Sequence, residues 1–255
     1  MTARLELIAL EGFPLVEPGD DLLQLLAAAL ADNGLALQPG DVLVIAQKVV
    51  SKAEGRYARL AEVTPGARAC ELAAQTDKDP RLIELILRES REVIRARPGV
   101  IIVEHRNGYI HANAGIDRSN ISHGPDDPRV LLLPEDPDRS AASLRRGLGE
   151  LTGVAPPVII NDSAGRAWRN GTVGIAIGCS GLAPLHNQIG DTDLFGNVLE
   201  VTEPAVADEL AAAASLLMGQ AAEARPVVLV RGAALRAGEE GAGALLRDRA
   251  MDLFR

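Results

Sequence analysis

At 255 residues the chain can bury a substantial core, as one large domain or two small ones. A net charge of -9 excludes the basic stripe of a nucleic-acid groove, and 2% aromatic residues exclude the stacking platforms of a single-strand binder. Nucleotide substrates stay open, provided that cations screen their phosphates. No apolar run approaches the ~18 residues of a membrane span. The N-terminus also lacks the basic-then-apolar pattern of a signal peptide, so a cytoplasmic protein is expected. Cys70 and Cys179 form no CxxC pair and read as reduced thiols.

In chain order, Arg4 to Leu10 predicts an opening strand, broken by Gly12-Phe13-Pro14. Asp20 to Asn33 predicts a helix with an acidic start and a Gly34 stop. Asp41 to Ile45 predicts a buried strand that runs into the basic segment Gln47 to Arg56. Pro65 to Ala74 and Pro80 to Glu92 predict helices with proline near the first turn. Val100 to Val103 and Tyr109 to Ala112 flank Arg106-Asn107-Gly108, a hairpin signal because Asn-Gly tolerates positive φ. A strand over Val130 to Leu133 and a helix over Ser140 to Gly149 follow. Val158 to Ile160 reads as a buried strand ending at Asn161, with Thr172 to Gly178 apolar beyond it. Glu203 to Met218 predicts a long helix, Pro226 to Val230 a strand, and Ala242 to Phe254 a final helix. The pattern is mixed α/β (α+β) with antiparallel hairpins and no regular βαβ rhythm. It forms one unit over 1–255 with no clear linker, two intertwined subdomains being the variant of that reading.

No GxxxxGK[ST], GxGxxG, HExxH or GxSxG motif occurs. Four clusters remain. Gly12 to Asp21 is a loop leading to a helix N-terminus, where free N–H groups attract anions, or a plain turn. Lys48, Ser51, Lys52 and Arg56 suit a phosphate or simply a solvated basic loop. Ala114 to Asn120 holds Asp117 and Asn120 after the hairpin, in a ligand loop or a turn. Asn161 to Gly171 places the oxygen ligands Asp162 and Ser163 beside the guanidinium forks Arg166 and Arg169, a combination that suits metal-assisted phosphoryl transfer. His105, His111, His123 and His186 show no ligand spacing and read as surface or hairpin residues.

Taken in order, these clusters resemble the coenzyme F420-0:γ-glutamyl ligase family. The resemblance rests on Phe13-Pro14-Leu15 with PGDD, VVSKAEGR (Val49 to Arg56), AGIDRSN (Ala114 to Asn120) and NDSAGRAWRNG (Asn161 to Gly171). GDTDLFG (Gly190 to Gly196) and VADELAAAASLLMGQ (Val206 to Gln220) complete it, so it spans nearly the whole chain. It implies a GTP-dependent ligase that joins L-glutamate to F420-0 and then extends a γ-linked tail. It further implies a homodimer of unusual mixed α/β fold, needing Mg²⁺ or Mn²⁺ at two divalent sites and helped by K⁺. By position, Phe13, Pro14, Leu15, Val16, Gln47, Lys52 and Asn120 would contact GTP. So would Leu216, Leu217, Met218, Gly219, Gln220, Ala221, Ala222 and Glu223. Asp117, Asp162 and Ser163 would bind metal, with Gln220 at the second ion. Ser163 stands where many relatives have Thr, and Gln47 where some have a small hydroxyl residue. Some relatives carry a further C-terminal flavin-binding domain; the stand-alone form is expected here.

The implied chemistry is γ-phosphoryl transfer to a carboxylate, followed by attack of glutamate's amine on the acyl phosphate. Asp117, Asp162 and Lys52 would act on the phosphates. Arg166 and Arg169 are candidates, on charge alone, for a substrate carboxylate or phosphodiester. A GTP-dependent ligase of another carboxylate and a non-catalytic nucleotide-binding regulator are the alternatives.

Overall fold

Val42–Ala46 (β2) is aliphatic throughout and its first four side chains are fully buried, which is the character of a central strand covered on both faces. The computed structural model, which describes residues 3–121 and 128–253, places it third in a five-stranded sheet. With Glu6–Ala9 (β1), Val158–Arg166 (β8), Arg169–Ser180 (β9) and Val227–Arg231 (β10), the order is β1-β10-β2-β8-β9. Only β2 and β8 run parallel, with Ala46 opposite Asn161. The other pairings are antiparallel.

Alternating side chains sort into two cores. Leu43, Ile45, Ile160 and Leu229 face Leu22–Asp32 (α1) and Pro137–Thr152 (α5). Val42, Val44, Ile159 and Val230 face Val206–Met218 (α6). Between the parallel neighbours the chain leaves as Gln47–Ala53 (α2) and builds a second layer before it returns. That layer holds Tyr57–Arg59 (β3) paired with Arg129–Leu131 (β7), Ala67–Thr76 (α3) and Pro80–Arg88 (α4). Ser90–Arg97 (β4), Val100–His105 (β5) and Ile110–Ala112 (β6) form a three-stranded sheet. Leu60, Leu72, Ile83, Ile86, Ile101 and Val130 make its separate core.

The mixed α/β architecture and the Asn107-Gly108 hairpin are as expected from the sequence. Four local expectations are corrected. The helix over Pro80 to Glu92 stops at Arg88, because Val93 and Ile94 continue into a strand whose ladder with β5 outweighs helical propensity. The strand from Val158 does not end at Asn161 but runs to Arg166, its polar half paired residue by residue with β9. Gln47 to Lys52 is helical rather than a basic loop, since Val49 and Val50 bury against the first core. The final helix over Ala242 to Phe254 is replaced by two single 3₁₀ turns, Ala242–Leu245 and Arg249–Met251, with Phe254 outside the described residues. Thirteen residues, with Gly243 near their start, are marginal as a helix without packing along one face. Among the described residues no helix is long and apolar enough to cross a membrane.

Candidate active site

Where parallel strands end side by side, their carboxyl ends open a crevice, and ligands of α/β sheets bind there. Beyond the ends of β2 and the buried half of β8 lies a cavity of about 530 Å³, within the range of small-molecule sites. One wall is the N-terminal loop Phe13, Pro14, Leu15, Val16 and Glu17. A second is α2, through Gln47, Lys48 and Lys52; a third holds Asp117, Asn120 and Ile121. Asn161, Asp162 and Ser163 form the floor. Met218, Gly219, Gln220, Ala221, Ala222 and Glu223 close it from the end of α6.

This last segment is held open by its own contacts. Gly219 has φ 71°, and a Cβ there would strike the Glu223 carboxyl. Glu223 accepts a hydrogen bond from the Ala221 N–H at 2.8 Å, and Asn120 donates to the Ala221 carbonyl at 2.8 Å. The loop is thus tied to the second layer across the cavity.

The two carboxylates are held alike. Asp117 exchanges backbone hydrogen bonds with Leu131, which fixes its place beside β7. Its Oδ1 accepts from the Ser119 N–H at 2.7 Å and its Oδ2 lies 2.8 Å from Lys48 Nζ. Burial would raise its pKa, but the Lys48 ammonium and the Ser119 N–H more than offset this and hold it below the ordinary range. Asp162 Oδ1 accepts from the Ser163 N–H at 2.8 Å, and its Oδ2 lies 3.0 Å from His111 Nε2. The two are not aligned as a hydrogen bond, and the contact becomes an ion pair when the ring is protonated. Burial opposes charging of His111, yet Asp162 and the Ala112 carbonyl at 3.2 Å raise its pKa overall. Lys52 moves the other way: burial and the neighbouring Lys48 lower its pKa against the pull of Glu17. Each carboxylate therefore sits against a basic side chain, and positive charge on α2 is crowded.

Of the expected site residues, Leu216 and Leu217 do not line the cavity; Leu216 is exposed on α6. Arg166 and Arg169 lie at the far end of the β8–β9 hairpin, flanking the exposed Trp168, and line no part of it. Asp162 sits within a strand rather than on a loop after one. Arg56 is not a phosphate ligand. It is locked between the Leu133 carbonyl and Glu89, at 2.9 Å from each. His105 and His111 are hairpin residues, on β5 and β6, and both are buried rather than at the surface; His123 lies outside the described residues. His111 was hidden because its partner is 51 positions away, and no local spacing marks such a pair. Glu17, Tyr57 and Arg225 also line the cavity, and of these only Glu17 stands inside a recognised cluster.

Among the described residues no group of three or more His, Cys, Asp or Glu could hold a metal ion. Asp117, Asp162, Ser163 and Gln220 line the one cavity and offer it the oxygen donors that a divalent cation takes. Mg²⁺ is commonly bound by one or two carboxylates plus substrate oxygens rather than by an all-protein cage.

Comparison with known proteins shows the family. The family model for F420-0:Gamma-glutamyl ligase matches residues 12–232. The Coenzyme F420:L-glutamate ligase of Methanothermobacter thermautotrophicus is 48% identical over 254 residues, covering 98% of this chain and 99% of its own. Its counterpart from Methanopyrus kandleri is 47% identical, covering 100% and 98%. That of Archaeoglobus fulgidus is 44% identical, covering 99% and 97%.

Proposed function

Because the chain belongs to the F420-0:γ-glutamyl ligase family, whose members form carbon–nitrogen bonds, we propose that it joins L-glutamate to F420-0 in coenzyme F420 biosynthesis, at the expense of GTP. The observation that carries the reading is the convergence of five sequence-distant segments on one cavity, with two cation-seeking carboxylates facing a lysine helix.

Amide formation from a carboxylate needs a leaving group better than oxide. In the proposed reaction the substrate carboxylate oxygen attacks the γ-phosphorus of GTP, the bond to the β,γ-bridging oxygen breaks, and GDP leaves. The amine of glutamate, having lost a proton, then attacks the acyl carbon. The carbon–nitrogen bond forms as the carbon–oxygen bond breaks, and phosphate departs with the electron pair. Lys52 would neutralise phosphate oxygens, an anion there relieving its crowding with Lys48. Asn120 and the loop from Met218 to Glu223 would embrace the nucleotide opposite Phe13 to Val16. Asp117, Asp162, Ser163 and Gln220 would hold Mg²⁺ or Mn²⁺, with K⁺ as a further aid. When bound, such ions neutralise charge on the transferring phosphoryl group. Lys48 and His111 lie against the same carboxylates, at 2.8 Å from Asp117 and 3.0 Å from Asp162.

A homodimer is part of the same reading. Its support is a projecting irregular hairpin over residues 187–201, on which Leu194, Phe195 and Val201 are 85–100% exposed.

The test is mass spectrometry of F420-0 incubated with GTP, glutamate and Mn²⁺. Glutamyl-sized increments matched by GDP release are expected. GTP hydrolysis without increments would overturn the proposed substrate.

A further inference from the structure

Asp117 and Asp162 reach the cavity from different layers, and one side chain joins the two. On β8, Asn161 turns toward α6 and donates to Ser215 Oγ at 3.0 Å. Alternation along the strand turns Asp162 to the opposite face, toward the second layer. What it meets there is His111 of β6, whose Nε2 lies 3.0 Å from Asp162 Oδ2. β6 belongs to a different sheet, so this contact spans the boundary between the layers. The two side chains are only 8% and 12% exposed, which leaves little water to screen them. Nε2 is buried and has no hydrogen-bond partner, so nothing competes with Asp162 for it. His111 itself does not line the cavity, and any effect it has there passes through Asp162.

The imidazole is held in its turn. His111 stands opposite the fully buried Val103 in the β5–β6 ladder, and its Nδ1 lies 3.2 Å from the Ala112 carbonyl. Asp117 follows only six positions later. Between them Asn113, Ala114 and Gly115 all take left-handed backbone, at φ 52°, 55° and 69°. Such a run is unfavourable for residues with a Cβ and persists only where the surroundings dictate it. Ala114 is fully buried, and a Cβ on Gly115 would strike the Leu133 side chain at 2.6 Å. The turn is therefore a rigid spacer, and His111 moves with Asp117.

We propose that His111 is a positioning residue. By holding Asp162 Oδ2 from the segment that carries Asp117, it sets how the two carboxylates are spaced for a divalent cation. The inference deepens the ligase reading, from which it takes the carboxylates' role, but its test needs no ligation. Mn²⁺ is titrated into equimolar protein and GDP, with the free ion counted by its EPR signal and GDP alone as the blank. His111→Leu fills the space of the ring without a polar atom, whereas His111→Gln can place an amide nitrogen where Nε2 stands. His111→Leu is expected to weaken Mn²⁺ binding about tenfold, the range for groups that orient metal ligands, and His111→Gln to restore most of it. A merely structural role would lower the melting temperature and leave the Mn²⁺ affinity of the folded protein unchanged. Equal affinity in wild type and His111→Leu, or equal weakening in both variants, overturns the proposal. So does a wild type that takes up no more Mn²⁺ than the blank. If His111→Leu does not fold, His111→Asn replaces it, because its shorter amide reaches only to the place of Nδ1 and the same contrast with His111→Gln is expected. A wild type that holds Mn²⁺ yet ligates nothing defeats the ligase reading, while the contrast between variants still decides the role of His111.

Discussion

Asp162 and Asp117 are each fixed by a downstream backbone N–H on one oxygen and a basic side chain on the other. Their geometry therefore precedes any ligand, and a substitution that keeps shape but removes charge should separate chemistry from folding. Asp162→Asn is expected to lower kcat/KM at least about a hundredfold, since even outer groups around metal ligands cost that much, with the melting temperature unchanged. Near-normal ligation would remove Asp162 from the reaction. A second residue-scale expectation concerns acid. His105 is fully buried, its Nδ1 accepts from the Asn107 N–H, and burial lowers its pKa despite the nearby Glu89. The unfolded chain thus binds the proton more readily, so stability falls as pH drops below about 6.5. Glu89 is opposed by burial but held below its ordinary range by His105, Arg56 and Arg106, and its contribution is lost further down, below about 4.5. The raised His111 works in the opposite sense. The comparison that isolates His105 is therefore between wild type and His105→Phe, with melting followed from pH 7.5 to 5.5. The variant should lose less stability over that interval, and an equal loss would show that His105 is not the source.

At the scale of elements, legibility tracked locality. The β5–β6 hairpin was readable because Asn107-Gly108 carries its turn in two residues, and α1 because Asp21 caps it through Gln24. The β4 strand was not, since its sequence gains a strand partner only after the chain reverses at Gly99. The length of β8 was also hidden. Asn161, Asp162 and Ser163 look like a loop until β9 supplies their hydrogen bonds. This pairing carries the site through Gly174, where a Cβ would meet the Ala211 carbonyl at 2.4 Å and Asn161 Oδ1 at 2.7 Å. Backbone that close cannot yield cheaply. Gly174→Ala is expected to cost about 1–3 kcal/mol in urea unfolding by pushing α6 off the sheet. It should also weaken GTP binding, because α6 ends in the loop that closes the cavity. Unchanged stability and binding would mean that the helix can shift without disturbing that loop.

Across the whole molecule, most candidate residues were found because they sit in recognisable strings, each contributing one wall. What escaped was a pair made by the fold alone. His111 and Asp162 are 51 positions apart. Arg166 and Arg169 drew attention because they adjoin Asp162 in sequence, whereas hairpin geometry carries them away from the cavity. Assembly belongs at this scale too. If the exposed hairpin over residues 187–201 is buried in a dimer, Leu194→Asp with Phe195→Asp should halve the mass seen by light scattering. A dimer that survives both changes would place the interface elsewhere.

The adjacent parallel strands β2 and β8 are separated in the chain by the entire second layer, and the cavity takes its walls from Phe13 through to Pro226. A growing polypeptide therefore cannot close this cavity until Pro226 has been added, and fragments cut short before β10 would lack one of its walls.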